Sequence, residues 1–241
     1  MFSNFGNTLV GDGKFGVRHL YRKCNVISRF KISIIKFYEN EEYRNQDLNK
    51  KLNNLRQIFR EGSFLACYEK ATAVSMFHLE IFDTDISSGD VMDVIEQKES
   101  KFKTSTAFFH EMSSFKSNLN GNAFQERCFI VLGFNLPESD SYSYFMENWR
   151  VLTGLGNLLS FLTPKYFIGR VSLLTNSSFD KPKCHFHFIV LVEIFFNRQD
   201  YIYLLDYVQK FRVQRNFGYI SIYGEFPTES TQNHLSGGNQ D

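Results

Sequence analysis

No two of the chain's four cysteines, Cys24, Cys67, Cys128 and Cys184, stand at metal-ligating spacing. That excludes a zinc finger built from CxxC units. No run of about 18 apolar residues occurs, so no membrane-spanning helix is expected. Residues 1–20 are polar and glycine-rich, without the apolar stretch of a secretory leader. These absences lead to the expectation of a cytoplasmic protein with reduced thiols and no membrane partner. Neither charge dominates: 27 Lys/Arg stand against 26 Asp/Glu, for a net +1, so the overall balance selects no partner. The triplet Gly154-Leu155-Gly156 follows no strand and lacks a third spaced glycine, which excludes a dinucleotide-binding loop.

What is present is aromatic. The 241 residues include 27 phenylalanines and 12 tyrosines. Most such rings build a core; exposed ones can stack on unpaired bases. The length fits one large domain or two small ones. Charge is also unevenly placed, with twelve Lys/Arg against five Asp/Glu in residues 1–60. Lys50, Lys51 and Arg56 lie on a helical pattern over residues 45–61 and suit a polyanion, although a solvated helix face accounts for them too.

Hydrophobic periodicity divides the chain. Residues 1–27 read as an irregular entry segment. Residues 28–124 read as an N-terminal α+β unit, with strands at 30–37, 64–70 and 75–82 and helices at 45–61, 87–100 and 102–115. Residues 125–223 form a second unit. Its strands fall at 128–134, 166–174, 184–195 and 217–223, and its helices at 141–162 and 197–211. Residues 224–241 read as a disordered tail. The second unit predicts an α+β fold, a ferredoxin-like βαββαβ antiparallel sheet. The first, a rougher βαββα, reads as a related unit.

One pattern carries chemistry. His185 and His187 stand two apart on the predicted strand 184–195, so both point to one face, where two imidazoles can hold a divalent cation. Phe186 and Phe188 would then share the opposite, helix-covered face. Asp83-Thr84-Asp85 is a weaker metal-binding candidate, and His78 reads as a satisfied core histidine.

Three segments together resemble the HUH endonucleases of rolling-circle replication initiators, of filamentous-phage or plasmid type. They are the hydrophobic strand 128–135, His185-Phe186-His187, and Tyr207-Val208-Gln209-Lys210 on the following helix. The resemblance implies a metal-dependent DNA-nicking enzyme. His185 and His187 would bind Mg²⁺ or Mn²⁺ and polarise the scissile phosphate. Tyr207 would attack phosphorus and leave a 5′-phosphotyrosine, and Lys210 would position it. The implied partners are single-stranded DNA or a hairpin origin, with a host helicase and polymerase. The alternative is a non-catalytic nucleic-acid-binding protein of ferredoxin-like, RRM-like domains. Arg212 and Arg215 would serve either reading.

Overall fold

A computed structural model describes residues 21–23, 29–37, 62–69, 74, 76–82, 102–117, 126–136, 141–163, 165–177, 186–215 and 218–225. Nine strands lie among them. They are β1 (Tyr21–Lys23), β2 (Arg29–Phe37), β3 (Ser63–Cys67), β4 (Met76–Phe82), β5 (Phe102–Ser117), β6 (Glu126–Phe134), β7 (Phe167–Asn176), β8 (Phe188–Phe196) and β9 (Tyr219–Glu225). The described helices are α1 (Ser141–Leu152), α2 (Leu155–Leu162) and α3 (Tyr201–Gln214), the last entered through a 3₁₀ turn at Arg198–Asp200.

The strands form one antiparallel sheet in the order β1-β5-β2-β4-β3-β9-β6-β8-β7, and β7 also pairs with β5. Eight strands therefore close into a barrel, with β1 lying beside β5. This corrects the expected open ferredoxin-like sheet. Two seams join the halves of the chain. At one, Leu65 of β3 faces Glu225 of β9. At the other, residues Phe109 to Lys116 of β5 run against Asn176 to Arg170 of β7. Closure satisfies the backbone donors and acceptors that an open sheet leaves at its edges.

Two cores result, and β6 divides between them residue by residue. Cys128, Ile130, Leu132 and Phe134 face the helical layer, where they meet Phe145 and Trp149 of α1, Leu158 of α2 and Leu204 and Val208 of α3. Phe129 and Val131 face the barrel interior with Phe30, Ile32, Leu79, Phe109, Leu191 and Tyr223. Alternation of side chains along a strand is what places one set on each face.

Three further expectations change. The predicted helix at 102–115 is instead the 16-residue strand β5. The predicted helix 141–162 breaks at Thr153-Gly154, where Gly154 has φ +70°. The positive φ is what favours glycine there; the Arg215 guanidinium lies against it and could swing aside for a Cβ. The predicted strand 184–195 begins at Phe188, and the chain bends at His187. The expected helices at 45–61 and 87–100 lie outside the described residues. No helix among the described residues is long and apolar enough to cross a membrane.

Candidate functional site

The bend at His187 breaks the alternation expected of Phe186 and Phe188. Phe186 and Phe188 would share a face on a continuous strand. Instead Phe186 packs inside the barrel and Phe188 under the helices. The Phe186 ring lies flat over Gly133, where a Cβ would collide with it. His187 serves as a clamp between strand ends. Its backbone N–H donates to the Phe134 carbonyl at 2.9 Å, and its carbonyl accepts the Asn176 N–H at 2.8 Å. Its Nδ1 accepts the Leu136 N–H at 3.1 Å, which takes the lone pair a metal would need there. His185 lies outside the described residues. So do Lys50, Lys51 and Arg56, and Asp83, Thr84 and Asp85. No group of three His, Cys, Asp or Glu among the described residues could hold a metal ion.

Tyr207 is built into the helical layer. Its ring stacks on Phe161 of α2, with centroids 3.4 Å apart and planes 3° from parallel. Its hydroxyl donates to the Asn157 carbonyl at 3.2 Å. Partial burial raises its pKa from the usual value of 10.0, against a smaller lowering by Arg215. The phenolate that a nucleophile requires is therefore harder to form here than in water. Tyr207→Phe should keep the stack and lose one partly exposed hydrogen bond. We expect a loss of about 0.5–1 kcal/mol by urea denaturation; a loss beyond about 2 kcal/mol would show that the hydroxyl anchors the two helices.

The remaining candidates are structural in their contacts. Lys210 pairs with Asp206 one helical turn away at 2.6 Å, both largely exposed. Arg212 reaches the Ile220 carbonyl, Ser221 and Glu69, and so ties α3 to the β3–β9 seam. Arg215 lies over the Phe211 ring, 5.7 Å from its centroid, and against Gly154. His78 is fully buried beside the Phe64 ring.

The barrel itself holds a different site. A cavity of about 430 Å³ opens at the mouth formed by the starts of β2, β3, β6 and β7 and the ends of β4, β5 and β8. Its floor is apolar, built from Phe30, Leu79, Phe129 and Leu191, with Ile81 at the rim. Its polar wall includes Lys116, Arg127, Arg170, Ser63, Ser172 and Glu193. The inner end of the barrel is plugged. There Tyr219 and Tyr223 share a hydroxyl–hydroxyl bond, the Tyr223 hydroxyl donates to the Val74 carbonyl at 2.8 Å, and Phe186 packs on Tyr219.

The charged wall is organised by ion pairs. Arg127 donates through Nε to Glu225 at 3.0 Å, through Nη2 to the same carboxylate, and through Nη1 to Glu193 at 3.3 Å. Ser63 adds a hydrogen bond to Glu225 at 2.8 Å. Arg170 grips both oxygens of the buried Glu111 with Nη2, at 2.6 and 2.7 Å, and donates through Nε to Ser172 at 3.0 Å. A bulge between Glu111 and Ser113 lets Glu111, Ser114 and Lys116 all turn inward, and leaves Met112 on the surface. Sequence reasoning missed this site. The available signal was a lone charge inside an apolar strand, as with Arg170 in FIGRVSLL and Glu193 in FIVLVEIFF.

A family model described as "Domain of unknown function (DUF7153)" matches residues 59–225, from just before β3 to the end of β9. The chain belongs to this family. No curated protein matches it. Among solved structures it resembles an anthrone oxidase-like protein, at 10% identity and a TM-score of 0.45, over 84% of this chain and 92% of that one. It also resembles a mutant chlorite dismutase from Candidatus Nitrospira defluvii, at 8% and 0.41, over 86% and 95%. A third is a heme-binding protein from Thermus thermophilus, at 9% and 0.35, over 89% and 97%. Those activities belong to those proteins.

Family and structure together correct the replication-initiator reading. The matching family is not the HUH family, and the chain bends at His187, where the motif calls for a continuous strand. The nucleic-acid-binding alternative relied on exposed aromatics and basic residues of ferredoxin-like domains, and barrel closure turns the helix-free face of those strands inward. The Mg²⁺ or Mn²⁺ reading finds no ligand group among the described residues, and Nδ1 of His187 is taken by the Leu136 N–H. The pocket does not fit heme either. Its described lining has no His, Cys, Met or Tyr, the side chains that ligate heme iron.

Proposed function

We propose that this family member binds a small amphipathic molecule in the mouth of its barrel. The observation that carries the reading is the cavity of about 430 Å³, apolar at its floor and charged at its wall. That volume lies within the range of about 300–1,000 Å³ usual for small-molecule sites, which pair an apolar lining with a few placed polar groups. A ligand that buries six methylenes on the Phe30, Leu79, Phe129 and Leu191 floor gains about 5 kcal/mol from their removal from water. The ion pairs on Arg127 and Arg170 fix the polar wall in advance, which lowers the ordering cost of binding. The free thiols of Cys67 and Cys128 suit a reducing cytoplasm.

The test is to fill the mouth. Ile81 lines the pocket and is half exposed at its rim, so Ile81→Trp adds volume there without forcing the packed interior. Wild-type protein should bind the neutral fluorophore N-phenyl-1-naphthylamine saturably. Ile81→Trp should weaken that binding at least about tenfold, equivalent to 1.4 kcal/mol. An absence of saturable binding by wild type, or equal binding by both proteins, would overturn the proposal.

A further inference from the structure

We propose that the ligand of this pocket is a monoanionic carboxylate whose charged end sits between Lys116 and Arg170. The inference rests on the pocket reading above and adds the chemical class. Strand register supplies the first observation. Lys116 of β5 is the direct partner of Arg170 of β7, and Arg170 is the direct partner of Glu193 of β8. Two cations thus face each other across one strand pair, an arrangement that repels unless an anion lies between them. Arg170 is partly answered by Glu111. The Lys116 side chain makes no hydrogen bond or ion pair among the described residues, and it is exposed at the mouth.

The second observation is how the donors are used. Arg170 spends Nε on Ser172 and Nη2 on Glu111. Its Nη1 has no partner among the described residues, and this side chain lines the cavity. A carboxylate can accept from Nη1 with one oxygen and from the Lys116 ammonium with the other. The third observation is the division of charge. Around β5 and β7, Lys116 and Arg170 stand against Glu111, a surplus of one positive charge. Around β6, β8 and β9, Arg127 stands against Glu193 and Glu225, a surplus of one negative charge. The negative side directs an anion toward Lys116 and opposes a second charge on it. The apolar remainder of the ligand then lies over Phe30, which sits beneath the Arg170 guanidinium at 5.6 Å, and on toward Leu191 and Phe129.

Competition against N-phenyl-1-naphthylamine tests the class with three ligands of one chain length: octanoate, 1-octanol and octyl phosphate. At low salt and neutral pH, octanoate should displace the fluorophore at about tenfold lower concentration than 1-octanol, and also ahead of octyl phosphate. In Lys116→Gln the octanoate preference should fall to about twofold or less, with 1-octanol unchanged. Salt at 0.5 M should shrink the wild-type preference, because Lys116 is exposed and screened. Displacement by 1-octanol as strong as by octanoate would overturn the anion and leave the pocket standing. So would a preference that survives in Lys116→Gln. A preference for octyl phosphate would overturn the carboxylate. Displacement by none of the three would overturn both the class and the pocket.

Discussion

Arg170→Met is expected to destabilise the protein by about 3–5 kcal/mol, the usual result of stranding one half of a buried ion pair. The Glu111 side chain is 2% exposed, and both of its oxygens rest on the Arg170 guanidinium. Methionine fills similar volume but returns no charge, so the carboxylate stays buried and uncompensated. The pair also bridges β5 and β7, whose contact closes the barrel. Urea denaturation followed by circular dichroism measures the loss. The double variant Glu111→Leu/Arg170→Met should recover most of it, because an apolar pair of similar size needs no desolvated charge. A single-variant loss under about 1 kcal/mol would show that water reaches Glu111 and that the seam holds without the pair.

Phe188→Ala should be comparably damaging, at about 3–5 kcal/mol for a fully buried aromatic truncated to alanine. Phe188 has no exposed surface and opens β8 directly beneath α1. Its ring stacks on Phe145 with centroids 4.4 Å apart, and Tyr142 lies 5.3 Å away. The cavity left behind would lie beneath Phe145 and Tyr142 of α1, whose rings pack on Phe188. Phe188→Leu should recover more than half of the loss in the same assay. An alanine variant within 1 kcal/mol of wild type would mean that α1 can settle onto the sheet without this ring.

Much of the strand placement was legible from alternation and apolar runs, because these follow from which faces are buried. Barrel closure was less legible, although a sign of it was present. Strands β6 and β8 are apolar at nearly every position, and a sheet with one wet face would alternate. Reading that run as two buried faces points to a second apolar layer. Strand β5 was misread for a local reason. The bulge beyond Glu111 shifts the pattern by one residue. Phe108, Met112 and Phe115 then fall at helical spacing even though the backbone is extended. The strand predicted from residue 184 was started too early because an alternating pattern was carried through the bend at His187. The charged pocket is assembled from β5, β6, β7 and β8, and its pairings depend on closure, so no single segment announces it.

The β3–β9 seam has a consequence for synthesis. It joins Leu65 to Glu225 and Cys67 to Tyr223, partners some 160 positions apart. On the ribosome, one edge of β3 waits unpaired until β9 has emerged, since the chain is made from its N-terminus. During that interval the nascent chain presents Phe64 and Leu65 on an open strand, the kind of edge that recruits other chains. Completion of the barrel is therefore a late event tied to the final described strand. A polypeptide halted before Tyr219 would carry the apolar interior of a barrel with no means of shutting it.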